Sequence, residues 1–387
     1  MKRVALLLLA SSCLMGFALA KEPPSRHQIG AGHKPRIAAD KNGVLHVVYE
    51  GLPDADKMTD VFYSQSTDGG VTWSAGIDIS HTPGASSDPD VSVESNGAID
   101  VAWKDTSPGE QSPDVFFSRS DDNGKTWGYA ADVSNTSGAS TEPAICCGSD
   151  NSIHIVWVDT SASPTNPDIY YAVSTNSGES WSKPENISKT PGLSREPDVS
   201  VGVDGTAHVA WSDTTSGPIH PDIYYSRLEH NATWSEPADV SHGTRVSAHP
   251  CLATGPQGRV YLAWQDASKK LGAADIWCLS APPKGAWENQ TNISMPGLSS
   301  EPCIAADDAG HVAIAWSDST SGSTRRDICV RTSQDSATQF DGQLNVSNTT
   351  AKSKHPDVAV SGGKTFVVWE EMGGAGSTVK AAALLTK

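Results

Sequence analysis

The stretch Ser66-Thr67-Asp68-Gly69-Gly70-Val71-Thr72-Trp73 has the pattern S-x-D-x-G-x-x-W, and the chain repeats it. The same spacing of residue types returns at residues 120–127 and, with Asn in place of Asp, at residues 174–181. The aromatic position continues at Trp234, Trp287 and Phe340, so the series advances by 53 or 54 residues at each step. A constant period of this length indicates a chain built from structural repeats.

Each repeat predicts four short strands, and the second copy illustrates them. Residues 89–93 and 98–103 contain several Val, Ile and Trp residues and flank Asn96-Gly97, a pair that favours a tight hairpin turn. Residues 114–118 predict a third strand, and residues 131–134 lie in a fourth strand beyond the repeated turn. A four-stranded unit repeated around an axis is typical of a β-propeller.

The number of blades follows from the aromatic residue of the second strand, which recurs seven times, whereas the fourth-strand pattern recurs only six times. Gln28-Ile29-Gly30 can supply the missing strand, and we expect it to pair with the strand near residues 381–385, which otherwise has an open edge. The sequence therefore predicts a single all-β domain over residues 21–387, a seven-bladed propeller whose last blade is closed by an N-terminal strand. The recurring aromatics are Tyr49, Trp103, Trp157, Trp211, Trp264, Trp316 and Trp369.

Residues 1–20 have the pattern of a secretory signal peptide. Met1-Lys2-Arg3 precedes an apolar run, and Ala18-Leu19-Ala20 matches an A-x-A cleavage site. A lipoprotein signal that uses Cys13 is the alternative. We expect a secreted or periplasmic protein, because no later segment is long and apolar enough to span a membrane. The net charge of −17 argues against nucleic acid and anionic membranes as partners. We also expect the protein to be a monomer.

The repeated turn is the Asp-box, and on these residues the chain resembles the bacterial sialidase (BNR/Asp-box) propeller superfamily. The resemblance implies that each box lies between the third and fourth strands, on the face opposite the functional mouth. It also implies one candidate activity, sialidase-type glycoside hydrolysis, which requires three arginines around the substrate carboxylate, a Tyr–Glu pair and an Asp acid. Arg36 in Pro35-Arg36-Ile37-Ala38 is similar to one of these arginines, but Ala38 replaces the family's proline. No tyrosine is evidently placed at the mouth, and seven repeats exceed the six blades of sialidase domains.

Residues that break the repeat at the mouth are the best candidates for function. The first strands begin there, each around a proline, and their opening residues form an acidic ring with some histidines and one arginine. Further arginines fall in the mouth-side loops, and a few convergent polar groups are what a binding pocket uses to orient its ligand. The predicted ligand-binding residues are Arg36, Arg195, Arg245, Arg325, His249, His355, Asp90, Asp198 and Asp357, and no residue is assigned a catalytic role.

Carboxylates that recur in most of the blades have two interpretations. The second strand ends in W-x-D, as at Asp105, and the third strand opens with Asp, as at Asp114. These residues either cap their own loops or form a calcium-binding ring. Because they repeat, we predict the capping role and no cofactor, with calcium as the alternative.

Two sets of histidines could be either structural residues or metal ligands. His46, His154 and His208 occupy one register of the second strand, and we predict buried, hydrogen-bonded side chains rather than ligands. A metal site formed by His33, His355 and Asp357 at the closure of the ring is a separate hypothesis; the favoured prediction is that there is no metal.

The cysteines allow two disulfide hypotheses. Cys251 and Cys303 hold the same register in the first strands of adjacent blades, where neighbouring strands can approach the Cα spacing of a disulfide. Cys146 and Cys147 offer a vicinal bridge. The alternative for each is packing as a small apolar side chain.

The predicted function is that of a binding module, exported and sialidase-like, with a glycan or a protein ligand at the channel mouth. An exo-sialidase is the enzymatic alternative, and it predicts three arginines in one pocket. A scaffold in a cell-surface or periplasmic assembly is the third hypothesis, and it predicts a contact surface on the blade sides.

Overall fold

The computed structural model describes residues 24–53, 58–107, 112–229, 232–243, 245–267, 273–294, 297–319, 325–374 and 376–385. The signal-peptide prediction and Cys13 lie outside these residues. Within them the chain forms seven antiparallel sheets of four strands each, and the regular helical structure is one 3₁₀ turn at Pro256–Gly258. The predicted seven-bladed all-β propeller is confirmed.

Six blades are continuous in sequence. Blade 1 consists of β2 (His33–Ala39), β3 (Leu45–Gly51), β4 (Asp60–Ser66) and β5 (Ile77–Asp78). Blade 2 consists of β6 (Ser86–Val93), β7 (Ile99–Asp105), β8 (Asp114–Ser120) and β9 (Ala131–Asp132). Blade 3 consists of β10 (Ser140–Cys147), β11 (Ile153–Asp159), β12 (Asp168–Ser174) and β13 (Glu185–Asn186). Blade 4 consists of β14 (Ser194–Val201), β15 (Ala207–Asp213), β16 (Asp222–Leu228) and β17 (Ala238–Asp239). Blade 5 consists of β18 (Ser247–Thr254), β19 (Val260–Ala267), β20 (Ala274–Ala281) and β21 (Glu288–Asn292). Blade 6 consists of β22 (Ser299–Ala306), β23 (Val312–Asp318), β24 (Asp327–Ser333) and β25 (Leu344–Asn345).

Blade 7 joins the two ends of the described chain. It consists of β26 (Lys352–Ser361), β27 (Lys364–Gly373), β28 (Gly376–Leu385) and β1 (Arg26–Ala31). The predicted closure is confirmed, but Gln28 lies opposite Lys380 and Gly30 opposite Val379, slightly before the expected residues 381–385. Ile29 packs there beside Tyr49 of blade 1, and the apolar contact between blades accounts for this register.

The second-strand aromatics form the core between the blades. The six tryptophans are at most 1% exposed, and each core cluster draws side chains from two neighbouring blades. In one cluster Phe117 of blade 2 packs with Ile155 and Trp157 of blade 3. A four-stranded sheet covers neither of its faces alone, so this packing between blades supplies most of the apolar burial.

The Asp-box forms the turn after the third strand, as predicted, at the end of the blade opposite the starts of the first strands. Asp68 Oδ1 accepts hydrogen bonds from Ser66 Oγ at 2.8 Å and from the Thr72 N–H at 2.9 Å. Gly70 donates its N–H to Ser66 Oγ from a φ of 86°, which favours glycine. The box tryptophan packs between blades: Trp127 meets Tyr63 of the preceding blade edge to face, with ring centroids 5.1 Å apart.

The recurring carboxylates cap loops, as predicted. Asp105 Oδ2 accepts from the Trp103 indole N–H at 3.1 Å and from Ser86 Oγ at 2.8 Å, and Asp105 Oδ1 accepts from the Ser107 N–H at 2.7 Å. The same indole–carboxylate bond recurs at Asp159, Asp213 and Asp318. Asp114 accepts from Ser134 Oγ at 3.0 Å, so both sets of aspartates have partners in their own blades.

The three histidines of the second strands are buried, as predicted. Each places Nδ1 2.7–2.8 Å from a tyrosine hydroxyl of the adjacent third strand. Burial lowers the pKa of each imidazole to about 4. The pairs are His46–Tyr63, His154–Tyr171 and His208–Tyr225.

Neither hypothetical disulfide is present, because all six cysteines of the described residues are free thiols. Cys251 Sγ instead accepts the Ile304 N–H at 3.1 Å, and Cys303 Sγ lies 3.6 Å from the Ala315 carbonyl oxygen. The Cys251 thiol therefore takes part in hydrogen bonding between blades, and the Cys303 thiol takes part in hydrogen bonding within its own blade.

Candidate functional site

A cavity of about 430 Å³ lies on the propeller axis, where the first strands begin. Two rings of side chains line it, and we name them by their position relative to the proline of each first strand. The outer ring precedes the proline and contains Lys34, Asp88, Glu142, Glu196, His249, Glu301 and His355. The inner ring follows the proline and contains Arg36, Asp90, Ala144, Asp198, Cys251, Cys303 and Asp357.

A bulge in every first strand creates the outer ring. The pairing register shifts at this point in all seven blades. Each outer-ring residue has φ between 42° and 55°, a left-handed conformation that costs a non-glycine residue about 1–2 kcal/mol. The seven strained residues meet around one cavity, and such clustering is typical of functional sites.

Hydrogen bonds from blade to blade stabilise the outer ring. The backbone N–H of Glu196 donates to Glu142 Oε2 at 2.7 Å, and the N–H of His249 donates to Glu196 Oε2 at 2.8 Å. The N–H of His355 donates to Glu301 Oε2 at 2.9 Å. Each of these carboxylates accepts an amide that the bulge has released from the sheet, so the rim side chains are held in defined positions.

The inner ring is organised in the same way. Asp90 accepts the Ile145 N–H at 2.8 Å, Asp198 accepts the Leu252 N–H at 2.5 Å, and Asp357 accepts the Ile37 N–H at 2.8 Å. In every case the donor belongs to the first strand of the next blade. These aspartates therefore join adjacent blades at the axis while their carboxylates also line the cavity.

Burial and mutual repulsion shape the charge of the inner ring. Burial in the wall raises the pKa of Asp198 to about 7 and that of Asp357 to about 6. Burial alone lowers the pKa of Arg36, but the carboxylates of Asp357 and Asp90 outweigh it and raise that pKa above its usual value. The Arg36 side chain, which is 45% exposed to the cavity, thus stays charged among acids that titrate near neutrality.

The structure brings six of the nine predicted binding residues together. Arg36, His249, His355, Asp90, Asp198 and Asp357 all line the cavity. Arg195 instead lies 3.6 Å from Glu142, and Arg325 lies 3.6 Å from Asp327. Neither they nor Arg245 line the cavity, because none of them is adjacent to a first-strand proline: Arg195 is the second residue of β14, and Arg245 and Arg325 precede β18 and β24.

Three further charged residues at the mouth were missed by the sequence analysis. Glu50, Lys104 and Glu370 occupy the middle position of the W-x-D pattern, where other blades have Val, Ser or Gln. Glu50 accepts the Asp88 N–H at 2.7 Å, and Lys104 lies 3.4 Å from the Asp88 carboxylate. The sequence signal that could have identified them is a charged residue at a repeat position that is uncharged in the other blades.

Glu370 organises the closure of the mouth between blades 7 and 1. Its side chain is 0% exposed and lies 3.1 Å from His33 Nδ1 and 3.0 Å from His355 Nδ1. Ser377 Oγ donates to it at 2.7 Å, and Lys354 Nζ lies 3.3 Å away. Burial alone raises the pKa of Glu370, but these partners outweigh burial and hold that pKa well below its usual range.

The structure does not assemble the hypothetical metal site. His33 and His355 direct Nδ1 to Glu370, whereas Asp357 binds a backbone amide. Within the part of the chain that the structure describes, one group of three potential ligands comes together, Glu94, Asp100 and Cys147. The Arg119 guanidinium contacts both of its carboxylates and so already supplies the cation.

This buried cluster predicts a pH-dependent stability. Burial raises the pKa of Asp100 above its usual value near 4, and Glu94 adds to that rise although Arg119 opposes it. The folded state therefore holds a proton that the unfolded state releases, and stability falls as the pH rises. Asn does not titrate, so the Asp100→Asn variant should not lose stability in this way. Its unfolding free energy minus that of the parent should therefore rise by about 1–2 kcal/mol from about pH 5 to about pH 8.

Unfolding in guanidinium chloride at both pH values measures this effect. Asp121→Asn is the matched control, because Asp121 pairs with the same Arg119 at 2.8 Å but is 74% exposed. Parallel pH profiles for Asp100→Asn and the parent protein contradict the prediction.

Comparison with known proteins agrees with this architecture. Residues 97–367 match the BNR repeat-like domain family, and no individual curated protein matches significantly. None of the helical structure in the described residues is long and apolar enough to cross a membrane.

Solved structures similar to the chain include sugar-active propellers. A Hadza microbial sialidase, Hz136, is 16% identical over 86% of this chain and 74% of its own, with a TM-score of 0.54. A Dyadobacter fermentans protein of unknown function is 15% identical over 94% and 97%, with a TM-score of 0.56. A Penicillium chrysogenum α-L-arabinanase complexed with arabinobiose is 12% identical over 95% and 99%, with a TM-score of 0.55. At these identities the likeness concerns the fold, and together with the family match over most of the chain it shows that the protein belongs to the BNR repeat-like family, as a sialidase-like β-propeller.

Proposed function

We propose that the protein is a glycan-binding module whose ligand enters the cavity on the propeller axis. The observation that carries this proposal is the preformed cavity of about 430 Å³, because its polar lining is held in place by hydrogen bonds between blades. Cavities of about 300–1,000 Å³ with a few positioned polar groups are typical of small-ligand sites. The leader pattern of residues 1–20 supports a role outside the cytoplasm.

Binding is favoured over sialic acid hydrolysis by the composition of the cavity wall. Arg36 is the one arginine among the described residues that line it, and no tyrosine is among them. A sialidase needs three arginines on the substrate carboxylate and a tyrosine nucleophile. Exo-sialidase activity remains the enzymatic alternative because of the family, and a scaffold role through the blade sides remains the third.

A steric block of the cavity tests the proposal. Ala144→Phe places a large side chain at an inner-ring position, where blade 1 carries the long Arg36. Binding to an oligosaccharide array should fall at least tenfold, about 1.4 kcal/mol. Ala75→Phe is the control, because Ala75 is exposed between the first Asp-box and β5.

The same samples distinguish the alternatives. Unchanged glycan binding in Ala144→Phe rejects the cavity as the site. If the parent protein releases sialic acid from a fluorogenic sialoside and Ala144→Phe does not, the protein is a sialidase and the binding proposal is wrong.

A further inference from the structure

The cavity has an excess of negative charge that its own cations do not neutralise. Among the described residues that line it there are seven carboxylates, one lysine (Lys34), one arginine (Arg36) and two histidines that face Glu196, Glu301 and Glu370. Lys34 Nζ already lies 2.5 Å from Asp88 and 3.1 Å from Glu50. Arg36 Nε lies 3.9 Å from Asp90. Both cations therefore serve as internal counter-ions, and neither is left to receive an anionic ligand.

Two inner-ring carboxylates feel the charge of Arg36 but have no cationic side chain in direct contact. Among the ion pairs of the described residues, none places a Lys, Arg or His nitrogen within 4.0 Å of Asp198 or Asp357. Each carboxylate binds a backbone amide and also lines the cavity. A charged donor that arrives through the cavity would lower the raised pKa values of these two carboxyl groups and bind their ionised forms.

On the basis of the glycan-binding function proposed above, we propose that the cavity receives the ammonium group of an amino sugar. The ligand class is a glycan with free 2-amino groups, in preference to N-acetylated or carboxylated glycans. An ammonium carries three donors and no acceptor, which suits a wall of acceptors. The carboxylate of an acidic sugar meets like charges at the same place and is repelled.

The wall also favours a sugar over the side chain of a protein lysine. The long methylene stem of lysine gains from apolar walls. Among the described residues that line the cavity there is no Phe, Tyr, Trp, Leu, Ile, Val or Met, and the apolar surface comes mainly from prolines. The hydroxyl groups of a sugar can instead donate to several of the seven carboxylates at once.

The experiment compares oligosaccharides that differ only in the nitrogen substituent. Calorimetry at about pH 7, where Asp357 is largely ionised and an ordinary alkyl amine is still protonated, measures binding of a glucosamine oligomer and of the N-acetylglucosamine oligomer of equal length. Sialyllactose is the acidic probe. We expect the glucosamine oligomer to bind at least tenfold more tightly than the N-acetylated one, and sialyllactose to bind more weakly than either.

Two substitutions should change the affinity for the glucosamine oligomer in opposite directions. Arg36→Met removes an internal counter-ion, so binding of the glucosamine oligomer should strengthen several-fold; an arginine that anchors an acidic ligand predicts the opposite. Asp198→Asn should weaken binding of the glucosamine oligomer about tenfold and leave the N-acetylated oligomer unchanged. Asp68→Asn, in an Asp-box on the opposite face, is the control for both, and thermal unfolding verifies that each variant is folded.

The outcomes separate the two proposals. Equal or tighter binding of the N-acetylated oligomer overturns the amino-sugar inference and leaves the glycan-binding function standing. Tight binding of sialyllactose that is lost in Arg36→Met also overturns it. If no oligosaccharide binds but a lysine-rich peptide does, both the inference and the glycan-binding function are wrong.

Discussion

A chain that begins at Gly32 is expected to lose about 3–5 kcal/mol of unfolding free energy relative to one that begins at Arg26. The shortened chain lacks β1, which pairs with β28 at five register positions, and each ladder hydrogen bond contributes about 1 kcal/mol. Ile29 also leaves the cluster that joins blades 7 and 1, which exposes Val379 and Tyr49. β28 then becomes an open sheet edge, and open edges favour association between chains.

Chemical denaturation and size-exclusion chromatography measure the two consequences. The chain that begins at Arg26 is the control, because it keeps every pairing of β1. Equal midpoints for the two chains, with both monomeric, contradict the view that strand β1 closes the ring.

Glu370→Gln is expected to destabilise the protein by about 3–5 kcal/mol at neutral pH, which is the usual cost of removing one partner of a buried ion pair. The carboxylate is 0% exposed and serves His33, His355 and Lys354, which come from both sides of the ring closure. An amide offers one acceptor oxygen where the carboxylate offers two, so one imidazole loses its partner.

The pH dependence has a definite sign. The folded-state pKa of Glu370 is depressed, so its contribution is fully present above the unfolded-state pKa of about 4.3 and is lost as the pH falls below it. The difference between Glu370→Gln and the parent should therefore shrink below about pH 4. Glu185→Gln, which removes an exposed pair with Lys189 at 3.6 Å, should cost less than about 0.5 kcal/mol at any pH. A loss of similar size in both variants rules out the proposed role of Glu370.

The blade count could be predicted from the sequence because it depends on local patterns. The aromatic near the end of each second strand, from Tyr49 to Trp369, marks one blade, and the excess of these aromatics over fourth-strand patterns required the N-terminal strand. The position of the cavity was predictable for the same reason. The residues that flank the first-strand prolines repeat in register, and in a ring of equivalent blades equal register means equal distance from the axis.

The tertiary structure alone decided which charged side chains meet. Arg195 and Arg325 are near the mouth in sequence, but neither lines the cavity: Arg195 pairs with the outer-ring residue Glu142, and Arg325 pairs with Asp327. Glu370 and His33 are 337 positions apart, and only closure of the ring makes them neighbours. A repeat pattern determines the position of a strand within its blade, whereas an ion pair depends on the few ångströms between side chains of different blades, over which electrostatic attraction changes most steeply.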